Sequence, residues 1–406
     1  MYIINSCIDK PDIDYMRYRV REMAERGFRT ENLGELYEVY LSNQRRAAMN
    51  IQSKYGINNP NSHNNIKRYF DKRKDDFIER VCYAGGKFVF DKHCIKRLAK
   101  AGYEEAVDFY IYRKFKKYAE TINSVMQFVD KEGVFRPKIT FSKTNRVNYI
   151  DPALMNIPKD LLWKIVKPRK VGNIFISVDI KNQEPWIMIN MLGIERLINL
   201  IKEIKSDEDF YSLVFKDIFG RLPDDEERGE IKICWNALTY GASAAGIKDM
   251  CFSIDTDKVY LYFNSFPEYK RYKGKCFGLA KSGVQCVETY FGTKVWAEDY
   301  GSRLQRVLMD IPIQGTGSDI LALLIERFDR EIYGTKYEGE IDIAFTRHDE
   351  LILEANKDLD LEEVKELLKD IFEHCVDDWV PFRVKISVID SFEEDKANNG
   401  VCEEDF

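Results

Sequence analysis

The chain has 406 residues, 45% hydrophobic and 32% charged, a composition that excludes a disordered or fibrous protein and gives room for more than one lobe. Its net charge of −6 conceals two sectors: Lys67 to Lys117 holds 15 Lys/Arg against 8 Asp/Glu, a balance of +7, while Glu338 to Phe406 holds 7 against 22, a balance of −15. No window reads as an uninterrupted membrane span, MYIINSCIDKPDID lacks the order of a signal peptide, and nine scattered cysteines without a CxxC pair fit reduced thiols in a cytoplasmic protein.

Residues from about 12 to 125 read as helical, because EMAERGF, ENLGELYEVYLSNQRRAAMNIQSKYG and IYRKFKKYAETINSVMQFV repeat apolar residues every three or four positions. INNPNSHNN, 57 to 65, is a polar break between two such helices. The basic run that follows reads equally as a solvated helix surface or as a phosphate-binding face. GNIFISVDI, ending at Ile180, is β-branched and aromatic and predicts a buried strand. Helices are expected from Trp186 to about Leu200, over 226–240, over 316–333 after a break at QGTG, and over 361–376. IDIAFTRHDELILEAN, 341 to 356, predicts a hairpin, Phe382 to Val388 a last strand, and 393–405 a loose acidic tail. The fold class expected from this pattern is α+β with several domains.

Carboxylates at strand ends need a neutralising partner. Asp179 closes GNIFISVDI and Asp349 stands at the turn of the hairpin, beside Glu350. Brought together, two such acids suit paired hard cations such as Mg²⁺, which takes one or two protein carboxylates and completes its shell with phosphates. Taken singly, each also reads as a strand-end cap, and 170 residues of separation leave the pairing open. In RGEIKICWNALTYG, 228 to 241, Arg228, Lys232, Asn236 and Tyr240 recur every four residues and line one helical face. Two cations, an amide and an aromatic ring suit a triphosphate and a base; an ordinary surface face with a core tyrosine has the same spacing.

Several segments, in order, resemble the polymerase portion of the family A DNA polymerases. TNRVNYIDPALMNIP (144–158) is similar to the family's TGRLSSxxPNLQNIP, SVDIKNQEPW (177–186) to DYSQIELR, and RGEIKICWNALTYG to RxxxKxxxFGxxYG. YFNSFPEYKRY, VETYFGTKV and IPIQGTGSDI resemble later segments, RHDE resembles the third motif, and INNPNSHNNIKRYF resembles FNxxSxxQLxxxLF of the thumb. The resemblance implies a right-hand fold with a helical N-terminal region and thumb over 1–125, an antiparallel-sheet palm over 126–225 and 301–406, and helical fingers over 226–300. It further implies template-directed addition of dNTPs to a primer 3′-OH by two Mg²⁺ ions, with Mn²⁺ as a substitute, and primer-template DNA as partner. No membrane, a monomer and no built-in 3′–5′ exonuclease are expected, and a phage or mobile element is a plausible source.

By the same resemblance, Asp179, Asp349 and the Ile180 carbonyl would hold metal, with Glu350 close by. Arg228 and Lys232 would grip the triphosphate, Lys232 also donating a proton to pyrophosphate, and Tyr211 and Asn236 would complete the nucleotide site. Glu184 corresponds to a steric gate against the ribose 2′-OH, and Tyr240 flanks the nascent pair. Thr144, Arg146, Arg306, Gln314 and His348 would contact DNA, with Arg146, Arg306 and Gln314 reading the minor groove at the primer end and His348 touching the primer terminus. The chain departs from the family's pattern at Asn236, Trp186, Asp310, Tyr211 and Gly229. Competing expectations are a single-subunit RNA polymerase, an untemplated terminal transferase, and a degenerate binding module.

Overall fold

The computed structural model describes residues 10–84, 86–205, 208–248, 250–251, 253–297 and 301–389. The acidic tail at 393–405 lies outside them. The chain divides into two compact units: one takes the described residues up to Ala24, Ile139–Asn148 and Gly172–Val388, and the other takes Glu25–Lys138 and Tyr149–Val171. The expected borders at 125, 225 and 300 therefore differ from this division. The first helix, α1 (Ile13–Arg26), falls mainly in the sheet-bearing unit, and no border separates the 226–300 segment from the sheet.

The second unit is a helical lobe. Two 23-residue helices, Leu33–Tyr55 and Glu104–Met126, pack on each other, with shorter helices His63–Lys72, Asp76–Cys82 and Lys92–Lys100 closing one end. Ser62, Asp75 and Asp91 cap the three short helices by accepting backbone N–H bonds at their first turns. Ile66, Phe70, Ile78, Phe88, Ile95 and Phe109 fill the core between them. The 12–125 segment is not wholly helical: Phe28–Thr30 is a strand flanked by Val134–Phe135 and Val166–Lys167.

The first unit is built on a four-stranded sheet. Its strands are β1 (Asn173–Ile180), then β2 (Ile341–Arg347) and β3 (Glu350–Asn356), which form the expected hairpin, and β4 (Val384–Ile389), in the order β2-β3-β1-β4. β3 runs antiparallel to β1 with Glu350 opposite Asp179 and Asn356 opposite Asn173. Ile176, Val178, Leu351, Ile352 and Leu353 are fully buried, so both faces of the central strands are covered.

Helices follow β1 in short pieces. Gly193, in the left-handed conformation at φ 66°, ends α2 (Gln183–Leu192), so the single helix expected over 186–200 is two. Next come α3 (Phe210–Phe219), α4 (Asp225–Thr239) and α5 (Pro267–Lys281). The expected break at QGTG is absent: α6 (Gly301–Ile332) runs through it for 32 residues. Glycine is only about 1 kcal/mol worse than alanine in a helix, and here close packing favours it. A Cβ on Gly315 would lie 2.6 Å from Thr289 Cγ2, and one on Gly317 would lie 3.2 Å from Gln183 Oε1. A last helix, α7, covers Leu361–Glu373, three residues shorter than expected.

Among the described residues, Arg303–Ile332 is long and apolar enough to cross a membrane by length and composition, which the sequence reading did not register. That apolar stretch is 83% buried inside the protein. None of the seven described cysteines is joined in a disulfide.

Candidate active site

Strand register builds the centre of the site. Because Glu350 lies directly opposite Asp179, Asp349 is one residue from that pair, at the turn between β2 and β3. His348 at φ 56° takes up the left-handed half of this tight turn. Burial pushes the Asp349 carboxyl above the ordinary range, and the carboxylates of Glu184 and Glu350 push it the same way. A carboxylate made costly by burial and by like charges is one that a bound cation would relieve. Partial burial and the Arg347 and Arg146 charges push His348 down, toward a neutral imidazole. Glu350 is buried at 4% exposure and accepts the hydroxyl of Ser177, so one of its oxygens is engaged within the sheet. Among the described residues no group of three or more His, Cys, Asp or Glu side chains is arranged to hold a metal. Asp179 and Asp349 supply two hard carboxylates, a donor set that fits Mg²⁺ finished by water and phosphate oxygens.

Glu184 opens α2 and is held from two sides. Arg146 Nη2 donates to its Oε1 at 2.8 Å, and the Tyr240 hydroxyl donates to its Oε2. Burial and the Glu184 charge keep the Tyr240 phenol well above its ordinary value, so it stays a donor. Tyr240 caps the C-terminus of α4, and Gly241 at φ 82° turns the chain there. A Cβ on Gly241 would meet Met309 Sδ at 2.7 Å, so α4 and α6 touch at this turn.

The helix α4 begins with a capping box, Asp224 and Glu227 satisfying each other's backbone N–H groups. Its periodic face is real, but the four residues do different things. Arg228 Nε and Nη2 grip Asp209 in a bidentate pair at 3.0 and 2.8 Å. Burial alone would raise the Asp209 carboxyl, yet the Arg228 bonds and the Ser212 N–H hold it below the ordinary range. Lys232 Nζ stands 5.7 Å from the centroid of the Tyr211 ring. Tyr211 is 2% exposed, and its hydroxyl donates to Asn236 Oδ1 at 3.4 Å. Tyr211 thus lies beneath the row as a support for Lys232 and Asn236.

Along α6, Arg306, Asp310 and Gln314 recur every four residues on one face, Arg306 exposed and the others half-buried. Thr144 is buried, its hydroxyl 3.0 Å from that of Ser142, in the segment that carries Arg146. Trp186, one of the departures from the family's pattern, is buried against Phe210, and its Nε1 donates to the Pro381 carbonyl at 3.1 Å. Asp209 and Ser177 are site-supporting residues that sequence reasoning missed. Asp209 carried a signal, an acid at a helix N-cap; Ser177 carried one only as the residue two before Asp179 on the same strand face.

With this geometry in place, the comparisons with known proteins are specific. The profile of DNA polymerase family A matches residues 30–394. The chain belongs to DNA polymerase family A. It is 27% identical over 259 residues to DNA polymerase I of Streptococcus pneumoniae serotype 4, covering 59% of this chain and 29% of that protein. DNA polymerase I of Caldicellulosiruptor bescii is 28% identical over 268 residues, covering 61% of this chain and 30% of that one. The chain therefore spans about a third of the length of these family members. The POL domain of Pol1 from M. smegmatis, solved in complex with DNA primer-template and dNTP, superposes with a TM-score of 0.72 at 21% identity, over 94% of this chain and 70% of that one. The fold is that of a family A polymerase domain, as the resemblance implied.

Proposed function

We propose that the chain is a DNA-directed DNA polymerase that adds dNTPs to a primer 3′-OH on a template strand. The observation that carries this reading is the β1–β3 register, which puts Glu350 opposite Asp179 and so leaves Asp349, in the adjoining β2–β3 turn, one residue from that pair. The cation row on α4 belongs to the same unit. The domain roles proposed are thumb for the helical lobe, palm for the sheet, and fingers for the α4–α5 segment.

In this reading Asp179, Asp349 and the Ile180 carbonyl hold two Mg²⁺ ions, with Glu350 as an outer carboxylate fixed by Ser177. When bound, such ions, for which Mn²⁺ could substitute, would supply charge neutralisation to the reaction. The protein's own residues bind and orient. Lys232 meets the incoming triphosphate and is placed to give a proton to the departing pyrophosphate. Arg228 contacts the same phosphates by exchanging its Asp209 partner for them. Glu184, fixed by Arg146 and Tyr240, occupies the space that a ribose 2′-OH would need. Tyr240 and Asn236 flank the nascent pair, and Arg306, Gln314 and Thr144 face the duplex. His348, neutral at physiological pH, contacts the primer end. The barrier is lowered chiefly by alignment and by fixed charge. A monomer working in the cytoplasm is part of the same proposal.

Primer extension with dNTPs and separately with rNTPs, under Mg²⁺, tests the reading. Templated dNTP addition that disappears in Asp349→Ala supports it; an Asp349→Ala protein as active as the unaltered chain removes it. Efficient rNTP addition would assign an RNA polymerase, and extension of a lone single strand a terminal transferase.

A further inference from the structure

One half-buried acid near the site has no role in the mechanism above. Asp310 stands on the α6 face between Arg306 and Gln314, in the turn just before Pro312. Proline has no N–H, so it leaves the Leu308 carbonyl without its helical donor and disturbs the turn around it. Helix α5 repairs that turn from outside. Cys276 Sγ approaches the Leu308 carbonyl at 3.4 Å, and the Tyr272 hydroxyl donates to the Met309 carbonyl at 2.5 Å. Gly241 closes on Met309 from the other side. The backbone next to Asp310 is therefore held by two contacts to its carbonyls, and the Met309 side chain by a third.

The Asp310 carboxyl itself is incompletely satisfied. Gln314 donates to it, yet its Oδ1 is buried without a hydrogen-bond partner among the described residues. Such an oxygen calls for a donor. Arg146 has matching spare capacity: its guanidinium donates only through Nη2, to Glu184, among the described residues. The two groups lie within electrostatic reach of each other, with Glu184 and Tyr240 completing the neighbourhood. Burial, reinforced by Glu184, pushes the Asp310 carboxyl up to about 6, and Arg146 pulls against that rise. At neutral pH it is therefore largely ionised.

We infer that Asp310 is a positioning residue for nucleotide addition, a second carboxylate that acts with Glu184 to hold the Arg146 guanidinium in place beside the site. This rests on the polymerase reading and adds to it Asp310, where the chain departs from the family's pattern and where a neutral side chain could not balance the Arg146 charge. Two carboxylates on one guanidinium would keep Arg146, and through it Glu184, in place during nucleotide addition.

A double-mutant cycle on kcat/KM for dNTP addition, using Asp310→Asn and Arg146→Lys, tests this. Asp310→Asn is expected to lower kcat/KM roughly tenfold in the native background, the scale of a lost charge-assisted hydrogen bond, and to have little further effect beside Arg146→Lys. Asp310→Glu, which keeps the charge, is expected to restore most of the loss. Losses that multiply in the double variant, or no loss in Asp310→Asn, overturn the inference. Asp310→Ser serves in the same cycle if the amide variant does not fold. A native chain that extends no primer overturns the polymerase reading as well, whereas an active chain with multiplying losses overturns this inference alone.

Discussion

The hydroxyl of Tyr240 donates to the Oε2 of Glu184, joining the end of helix α4 to the start of α2 across 56 residues of sequence. With Arg146 on the other oxygen, Glu184 is fixed rather than free to rotate away from a larger sugar. Glu184→Ala is expected to lower the preference for dNTPs over rNTPs by about 10- to 100-fold, the range that one missing steric element in a pocket commands. The ratio of kcat/KM values for matched dNTP and rNTP measures it. An unchanged ratio would remove Glu184 from sugar selection.

Asp349 carries a carboxyl raised by burial and by two neighbouring acids, so it contributes unfavourable charge to the protein without metal. Asp349→Asn is expected to lower primer extension by about a thousandfold or more, the scale on which removing a charge-stabilising group acts in a transition state. The same change is expected to leave the thermal midpoint unchanged or higher at pH 7.5 without metal. A lower midpoint would mean that Asp349 is a structural cap and not a cation site. Chelation of divalent ions is expected to stop extension by the native chain.

Asp319 is fully buried on α6, with its Oδ1 accepting the Thr293 hydroxyl at 2.9 Å and its Oδ2 unpartnered among the described residues. Burial raises its carboxyl to about 6, from an ordinary 3.8. The folded state thus binds this proton more tightly than the unfolded one. The stabilising contribution is complete below pH 3.8 and is lost as pH rises through 6. Two units correspond to about 3 kcal/mol. Asp319→Asn, which mimics the neutral acid, should therefore gain on the native chain by up to about 3 kcal/mol between pH 4 and pH 7.5 in chemical unfolding. A pH-independent difference would refute the assignment.

Trp186 spans from α2 to the Pro381 carbonyl and fills the space beside Phe210. Trp186→Phe keeps most of the ring and is expected to destabilise by about 1–3 kcal/mol through the carbonyl left unpaired. Trp186→Ala is expected to cost about 3–5 kcal/mol through the cavity it leaves. Urea unfolding distinguishes the two, and equal losses would show that the hydrogen bond contributes nothing.

The hairpin at 341–356 and the strand ending at Ile180 were legible because alternation and β-branching act locally, and both formed close to where they were expected. The QGTG break was misread because glycine signals both a turn and a close approach; Thr289 and Gln183, which decide between them, are distant in sequence. The four-residue spacing of Arg228, Lys232, Asn236 and Tyr240 was likewise legible as a face. What each side chain meets was not, since Asp209, Tyr211 and Glu184 come from other helices. The same holds for Trp186, whose partner carbonyl lies 195 residues away.

The pairing of Glu350 with Asp179 also constrains how this chain can vary over generations. Side chains alternate faces along a strand, so one residue inserted or deleted between Thr346 and Leu351 would send Asp349 or its neighbours to the opposite side of the sheet. Lineages can thus exchange residue types around this turn, but its length is frozen.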